Sequence, residues 1–345
     1  MRKLILITAI AAITGLGLAG CSSPTTSSTS GDDGVVKVGF LAAAARNDGG
    51  FTQYGLAGVQ AAVKANKKLK LTSIVDSVTS SQQQIQGLET LASNNKIVVA
   101  DSAALDKAVA VAAAKYPDTR FILVAANTAS YLPNVTSVTA DVGLDAVVAG
   151  AVAAKLSKSG KMGMISGLQV PASTAWYYGM KQGAEIQSSS AQVAQAYTGD
   201  YNDVGKAKQA ASAMIANGAD MLLADLDSGS QGVYQAAAAS KSPVGVFQVF
   251  ALACDASPTV VGAGVVSWAS ILQQSVANAA KKTLPAGAVS YGPKSGALDF
   301  EFCPGKGDAD SKAIADKVTK DISSGAITPE QGVLQARPSY KFTQE

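Results

Sequence analysis

From residue 35 onward, short apolar runs alternate with stretches whose apolar positions recur every three to four residues. The runs at 35–41, 70–75, 97–100, 121–125, 162–165, 193–197, 221–226 and 244–250 read as strands. Several are continuously apolar, as strands covered on both faces of a parallel sheet require. After Asp141, the positions Leu144, Val147, Val148, Val152 and Leu156 share one helical face. Further on, Asn202 and Asp203 are placed to cap a helix whose buried stripe is Ala207, Ala210, Ala211 and Met214, and Gly218 sits where that helix ends. This alternation predicts an α/β fold with right-handed crossovers.

The strands form two sets of four, before residue 135 and after residue 160. Two doubly wound parallel-sheet domains follow, each binding ligand at the carboxyl ends of its strands. If the domains face each other, the ligand lies in the cleft between them and hinge closure traps it. Further strands at 260–267 and 298–302 imply that the chain crosses between domains again. The expected division is 35–140 with about 250–285 in an N-terminal lobe and 141–249 with about 286–335 in a C-terminal lobe. Residues 336–345 are a tail.

The chain opens with Met1-Arg2-Lys3 and an apolar run over 4–18, too short to span a bilayer comfortably and read as a signal-peptide core within 1–20. Gly15, Gly17 and Gly20 spell a dinucleotide-binding pattern, but no strand–turn–helix surrounds them. Leu18-Ala19-Gly20-Cys21 resembles the lipobox of bacterial lipoproteins, which implies acylation of Cys21. Residues 22–34 (SSPTTSSTSGDDG) have nothing apolar to pack, so 21–34 reads as a tether. The expected location is the extracytoplasmic face of a cell membrane, with the protein held by lipid.

At 345 residues the chain is longer than one core usually serves. Hydrophobic residues make up 48% and charged residues 15%, which argues against disorder. Loss of Arg2 and Lys3 leaves 26 basic against 25 acidic residues, a net charge of +1 and too even for nucleic-acid binding by charge. The chain contains no histidine, which removes Ser-His-Asp and Cys-His triads and nearly all zinc chemistry. No metal or cofactor is expected. In an oxidising compartment Cys254 and Cys303 are expected to form a disulfide, worth roughly 4 kcal/mol in the chain-entropy model, with two buried thiols as the alternative.

Four stretches carry a family resemblance. Asn47-Asp48-Gly49-Gly50-Phe51 with Gly55 and Gly58 follows the first strand. Tyr116-Pro117-Asp118 is followed by Leu132-Pro133-Asn134-Val135. Residues 171–183 read PASTAWYYGMKQG. Tyr197-Thr198-Gly199-Asp200-Tyr201-Asn202-Asp203 precedes Gly218-Ala219-Asp220. In order and spacing these resemble the basic membrane lipoprotein family, type I solute-binding proteins of ABC transporters that include purine-nucleoside receptors. The resemblance covers nearly all of 35–302. It implies a type I periplasmic-binding-protein fold with a ligand cleft between domains.

Family members hold a base between two aromatic rings, and the resemblance implies Phe51 and Trp176 for these positions. Each is otherwise a core residue, Trp176 sharing a face with Met180 and Ala184. Stacking on a planar ligand is worth about 1–3 kcal/mol per ring. The family's carboxylate after the first strand falls in Leu41-Ala42-Ala43-Ala44, so Asn47 and Asp48 are the nearest polar candidates, with Asp48 equally readable as solvated. Phe250 and Trp268 stand where the family has a ribose-binding aspartate motif and a lysine motif, Ser270 taking the lysine's place. A buried ribose with unpaired hydroxyls is costly. These departures therefore point to a flat, apolar-faced ligand, a free purine-like base or another heteroaromatic compound, with a nucleoside held by other groups left open.

Asp225 and Asp227 end a strand two residues apart and point to one face. They are acceptors for ligand N–H groups, or solvated strand-end carboxylates. The turn Ser228-Gly229 leads into a helix whose start favours a ligand acceptor. The expected function is solute capture and delivery, by a monomer, to an ABC permease and its ATPase, with no chemistry performed. The alternatives are a ligand sensor on the same fold and a hydrolase using Asp225 or Asp227.

Overall fold

The computed structural model describes residues 34–48, 51–126 and 132–334. The expected signal peptide, the acylated Cys21, all but the last residue of the 21–34 tether and the 336–345 tail lie outside the described residues.

The first half of the chain runs β1 (Val36–Ala42), α1 (Phe51–Ala65), β2 (Leu69–Val75), α2 (Ser81–Asn94), β3 (Ile97–Asp101), α3 (Asp106–Lys115), β4 (Arg120–Val124), β5 (Val135–Ala140) and α4 (Val142–Leu156). It continues with β6 (Lys161–Ser166), α5 (Pro171–Gln187), β7 (Gln192–Tyr197), α6 (Val204–Ala216), β8 (Met221–Asp225), α7 (Ser230–Ala238) and β9 (Gly245–Phe250). The last part comprises β10 (Val260–Val266), α8 (Trp268–Ala280), β11 (Gly287–Tyr291), β12 (Leu298–Phe302) and α9 (Ala309–Ser324). Two six-stranded sheets result, ordered β11-β5-β4-β3-β1-β2 and β12-β10-β9-β8-β6-β7. Every pairing is parallel except β10 with β12. This is the doubly wound architecture that the apolar runs predict.

The chain passes from the first sheet to the second after β5, returns after β10 and leaves again after β11. Strand by strand, the late segments fall differently from the sequence reading. Val260–Val266, expected in the N-terminal lobe, pairs with β9 in the second sheet, and Gly287–Tyr291, expected in the C-terminal lobe, pairs with β5 in the first. The structure adds two strands that the apolar pattern does not mark, β5 and β11.

The helix caps follow the sequence. Asp203 accepts from the Lys206 N–H at 2.9 Å, Ser80 and Gln83 form a capping box, and Ser267 accepts from the Ser270 N–H at 3.1 Å. Gly218 takes φ +95° just past α6, where a side chain would be strained. Helix α4 departs from the one-sided stripe, because every residue from Val142 to Ala153 is buried. It is covered by α5, by α9 and by strands β10 and β12. Its close contact with α5 depends on glycine. A Cβ on Gly150 would overlap the Met180 carbonyl oxygen, one on Gly183 that of Val147, and one on Gly179 that of Gly143.

Cys254 and Cys303 are joined in a disulfide across a separation of 49 residues, with Cα atoms 5.5 Å apart. It fixes the loop after β9 to the residue that follows β12. The 327–330 segment is held by the Gln182 side chain, which donates to the Thr328 carbonyl at 2.8 Å and accepts from the Glu330 N–H at 3.1 Å.

Candidate functional site

In doubly wound sheets the carboxyl edge is where strand ends leave room for a ligand. On the first sheet, β3 ends at Asp101, in register with Ala42 of β1. The sheet edge that looked bare in the sequence therefore carries a carboxylate one strand over. Asp101 is 1% exposed, and neither of its carboxyl oxygens has a hydrogen-bond partner. Helix α1 presses against it: a Cβ on Gly55 would lie 2.6 Å from one of those oxygens. Burial, and then the charge of Asp48, raise the Asp101 carboxyl well above its ordinary range.

Asp48 caps α1, accepting from the Thr52 and Gln53 N–H groups at 3.1 Å each. It is exposed, as is Asn47. Phe51 follows at the helix start, partly buried, with its ring edge-on to Trp268 at 4.9 Å between centroids. Trp268 is 4% exposed and backs Phe51 rather than lining open space.

On the second sheet, β6 ends at Ser166 and β8 at Asp225, which are neighbours in register. The Ser166 hydroxyl donates to Asp225 at 2.7 Å. Asp225 is buried, and burial raises its carboxyl to about 6, against the lowering effect of the Ser166 bond. Asp227 stands at the exposed rim; partial desolvation and the charges of Asp48 and Asp200 raise it. Asp48, on the first sheet's side, thus acts electrostatically on carboxylates from both sheets.

The ring beside these carboxylates is Tyr201, which sequence reasoning missed. It is partly buried and lies against Gly167, where a Cβ would overlap the ring. Its phenol is raised by burial and by Asp225, with Ser166 and the Leu168 backbone as hydrogen-bond partners acting the other way. The Tyr201 carbonyl accepts from the Asp227 and Gly229 N–H groups at 3.0 and 3.1 Å. Ser228 donates to Asn202 at 2.8 Å. The Ser230, Gln231 and Gly232 N–H groups also bond within the turn. That corrects the expectation that the start of α7 offers its backbone to a ligand acceptor, because these donors are already used.

Trp176 is placed differently from its expected role. Its surface is fully inaccessible, and it belongs to the core with Met180 and Ala184. Its neighbours are Phe250, edge-on at 6.3 Å, and Gly264, where a Cβ would stand 2.9 Å from the indole and 2.5 Å from Asp145. Asp145 on α4 is a further buried carboxyl, with one oxygen lacking a partner, and is raised by burial and then by Asp299. Phe250 is partly buried at the end of β9, with φ +69°.

Two signals were available for the residues that were missed. Asp101 ends an apolar run as Asp225 does, but the predicted strand stopped one residue short of it. Tyr201 lies inside the 197–203 motif without having been singled out. A cavity of about 480 Å³ occurs elsewhere, lined by Asp141, Leu144, Gln274, Tyr291, Ile322 and Thr328 near the crossover segments. Among the described residues no group of three or more His, Cys, Asp or Glu is arranged to hold a metal, and no helix is long and apolar enough to cross a membrane.

The raised Asp225 carboxyl makes stability depend on pH. The folded state holds this proton up to about pH 6, whereas the unfolded chain releases it near its ordinary value of 3.8. The associated stability is thus fully present below about pH 4 and lost as pH rises through 6. Asp225→Asn removes that slope. The stability of the variant relative to the parent is expected to rise by about 2 kcal/mol between pH 4 and pH 7.5. Urea denaturation at the two pH values checks this, and equal differences at both would refute it.

Comparison with known proteins bears on the whole body of the chain. Residues 35–331 match the family model Bmp, described as ABC transporter substrate-binding protein PnrA-like. The ABC transporter nucleoside-binding protein BmpA of Lactococcus lactis subsp. cremoris (strain MG1363) is 30% identical over 248 residues, 70% of either chain. Basic membrane protein A2 of Borrelia garinii subsp. bavariensis is 26% identical over 55% of this chain and 56% of its own. An ABC transporter solute-binding protein from Conexibacter woesei DSM 14684 superposes with a TM-score of 0.71 at 23% identity, covering 86% of this chain and 99% of that one. A transcriptional activator of the comK gene from Bacillus halodurans gives 0.74 at 18% identity, covering 85% and 100%. The last two show the fold alone. With the family model spanning the body of the chain and the fold in agreement, the chain belongs to the Bmp family of PnrA-like ABC transporter substrate-binding proteins.

Proposed function

We propose that this chain captures a small planar solute, of purine nucleoside or nucleobase type, outside the cytoplasm and delivers it to an ABC importer. The observation that carries the reading is an aromatic side chain, partly buried, at the carboxyl edge of each sheet, Phe51 at the first and Tyr201 at the second. Asp48 acts on carboxylates of both sheets. In this reading each sheet is the core of one lobe, and the three chain crossings form the hinge. Asp101, Asp225 and Asp227 accept N–H groups at the edge of the ligand, while Asn47 and Phe250 line its margins. Cys21 carries the lipid, and residues 22–34 give the lobes reach above the membrane. The nucleoside-binding name of the Lactococcus lactis relative supports the class of ligand.

Isothermal titration against purine nucleosides, free bases, pentoses and amino acids tests this. A 1:1 complex with a purine compound at micromolar affinity or tighter is expected. Binding confined to sugars or amino acids would overturn it.

A further inference from the structure

Among the described residues, three carboxylates at the carboxyl edges of the two sheets, Asp101, Asp225 and Asp227, form no ion pair. Among the described residues, ion pairs such as Arg46–Asp76, Lys206–Asp203 and Lys155–Asp310 leave Asp101, Asp225 and Asp227 without a cationic partner. Asp101 is the sharpest case, being 1% exposed with both oxygens unpartnered. If ionised, it needs donors or a positive charge; if protonated, its O–H needs an acceptor. No hydrogen-bond partner of either kind is present for it among the described residues, and such a group is costly to leave buried. Gly55 keeps the helix backbone close, so the carboxyl cannot turn into that side.

The carboxyls also form a linked set. Asp48 acts on Asp101 and on Asp227, and Asp227 acts on Asp225. Mutual repulsion of this kind is relieved by one positive charge placed among them. The flanking rings, Phe51 and Tyr201, favour a cation over their faces as well as a flat frame between them.

We infer that the solute of this cleft is a cationic heteroaromatic compound, its ring held between Phe51 and Tyr201 and its positive charge received by Asp101 and Asp227. This rests on the reading of those two rings as the ligand clamp. The test compares matched neutral and cationic probes: adenosine against 1-methyladenosine, and nicotinamide against 1-methylnicotinamide, by calorimetry near pH 7. The methylated cation of at least one pair is expected to bind about tenfold or more tightly than its neutral parent. Asp227→Asn, at the exposed rim, and Asp101→Asn, with folding checked by circular dichroism, should each erase most of that preference. Neutral parents binding as tightly as their cations would overturn the charge assignment and leave the clamp standing. If none of the four binds, and the purine panel is also silent, the clamp falls with it.

Discussion

Replacing Gly150 and Gly183 together with alanine is expected to cost about 3 kcal/mol of stability, a severe overpacking penalty to which the second substitution adds little because both act on one helix contact. The obstacle at each position is a main-chain carbonyl, that of Met180 or of Val147, and a carbonyl held in a helix cannot rotate away as a side chain can. Helices α4 and α5 would have to separate along their length. Because α4 is buried over Val142–Ala153, any separation also loosens its contacts with α9, β10 and β12. Guanidinium denaturation of the double variant checks the figure. A loss below about 1 kcal/mol would mean that the helices slide apart at little cost, and that the glycines are incidental.

The second large effect concerns binding. Phe51→Ala with Tyr201→Ala is expected to weaken the tightest-binding compound of the titration panel by about a thousandfold, taking two rings at roughly 2 kcal/mol each. Trp176→Phe serves as the contrast. It fills most of the same core space and is expected to leave affinity within about twofold while lowering stability. If Trp176→Phe abolished binding and the double variant did not, the ring assignment would revert to the one the 171–183 motif implied.

Most of the architecture was legible because its strands are apolar on both faces, a pattern that a parallel sheet requires. The two missed strands show where that signal fails. In β5, the sequence Val135–Ala140 carries Thr136, Ser137 and Thr139, all buried. Their hydroxyls are satisfied by partners distant in sequence or outside the strand. Thr136 donates to the Pro285 carbonyl at 2.5 Å, Ser137 to that of Ala126 at 2.6 Å, and Thr139 to Ser290 at 3.4 Å. A polar residue whose partner lies about 150 positions away reads as loop until the partner is seen. β11 is short, begins at a glycine with φ +95° and acquires its identity from pairing with β5.

The site was legible in its motifs and not in its geometry. Phe51 is implied by the family resemblance, Asp48 by its place after the first strand and Asp225 and Asp227 by their strand end, and the structure puts all four at the carboxyl edges of the two sheets. Trp176 was assigned to the cleft from its place in a motif, yet helical periodicity alone already put it on a face with Met180 and Ala184. What distinguishes Tyr201 from Trp176 is the glycine at 167 beneath one ring and the closed core around the other, and neither is visible in the sequence.

The order of the strands has a consequence for how the protein is made. The outer edge of β5 stays unpaired until Gly287–Tyr291 has been synthesised, and β10 lacks its antiparallel neighbour until Leu298–Phe302 follows. Neither half can therefore mature first and wait for the other, as a sequential multidomain chain would. A nascent polypeptide stopped at Ala280 would carry two unfinished β-layers with exposed edges, the condition that invites strand-to-strand aggregation. Assembly of both halves must await nearly the last tenth of the chain, and any chaperone serving it must shield both until then.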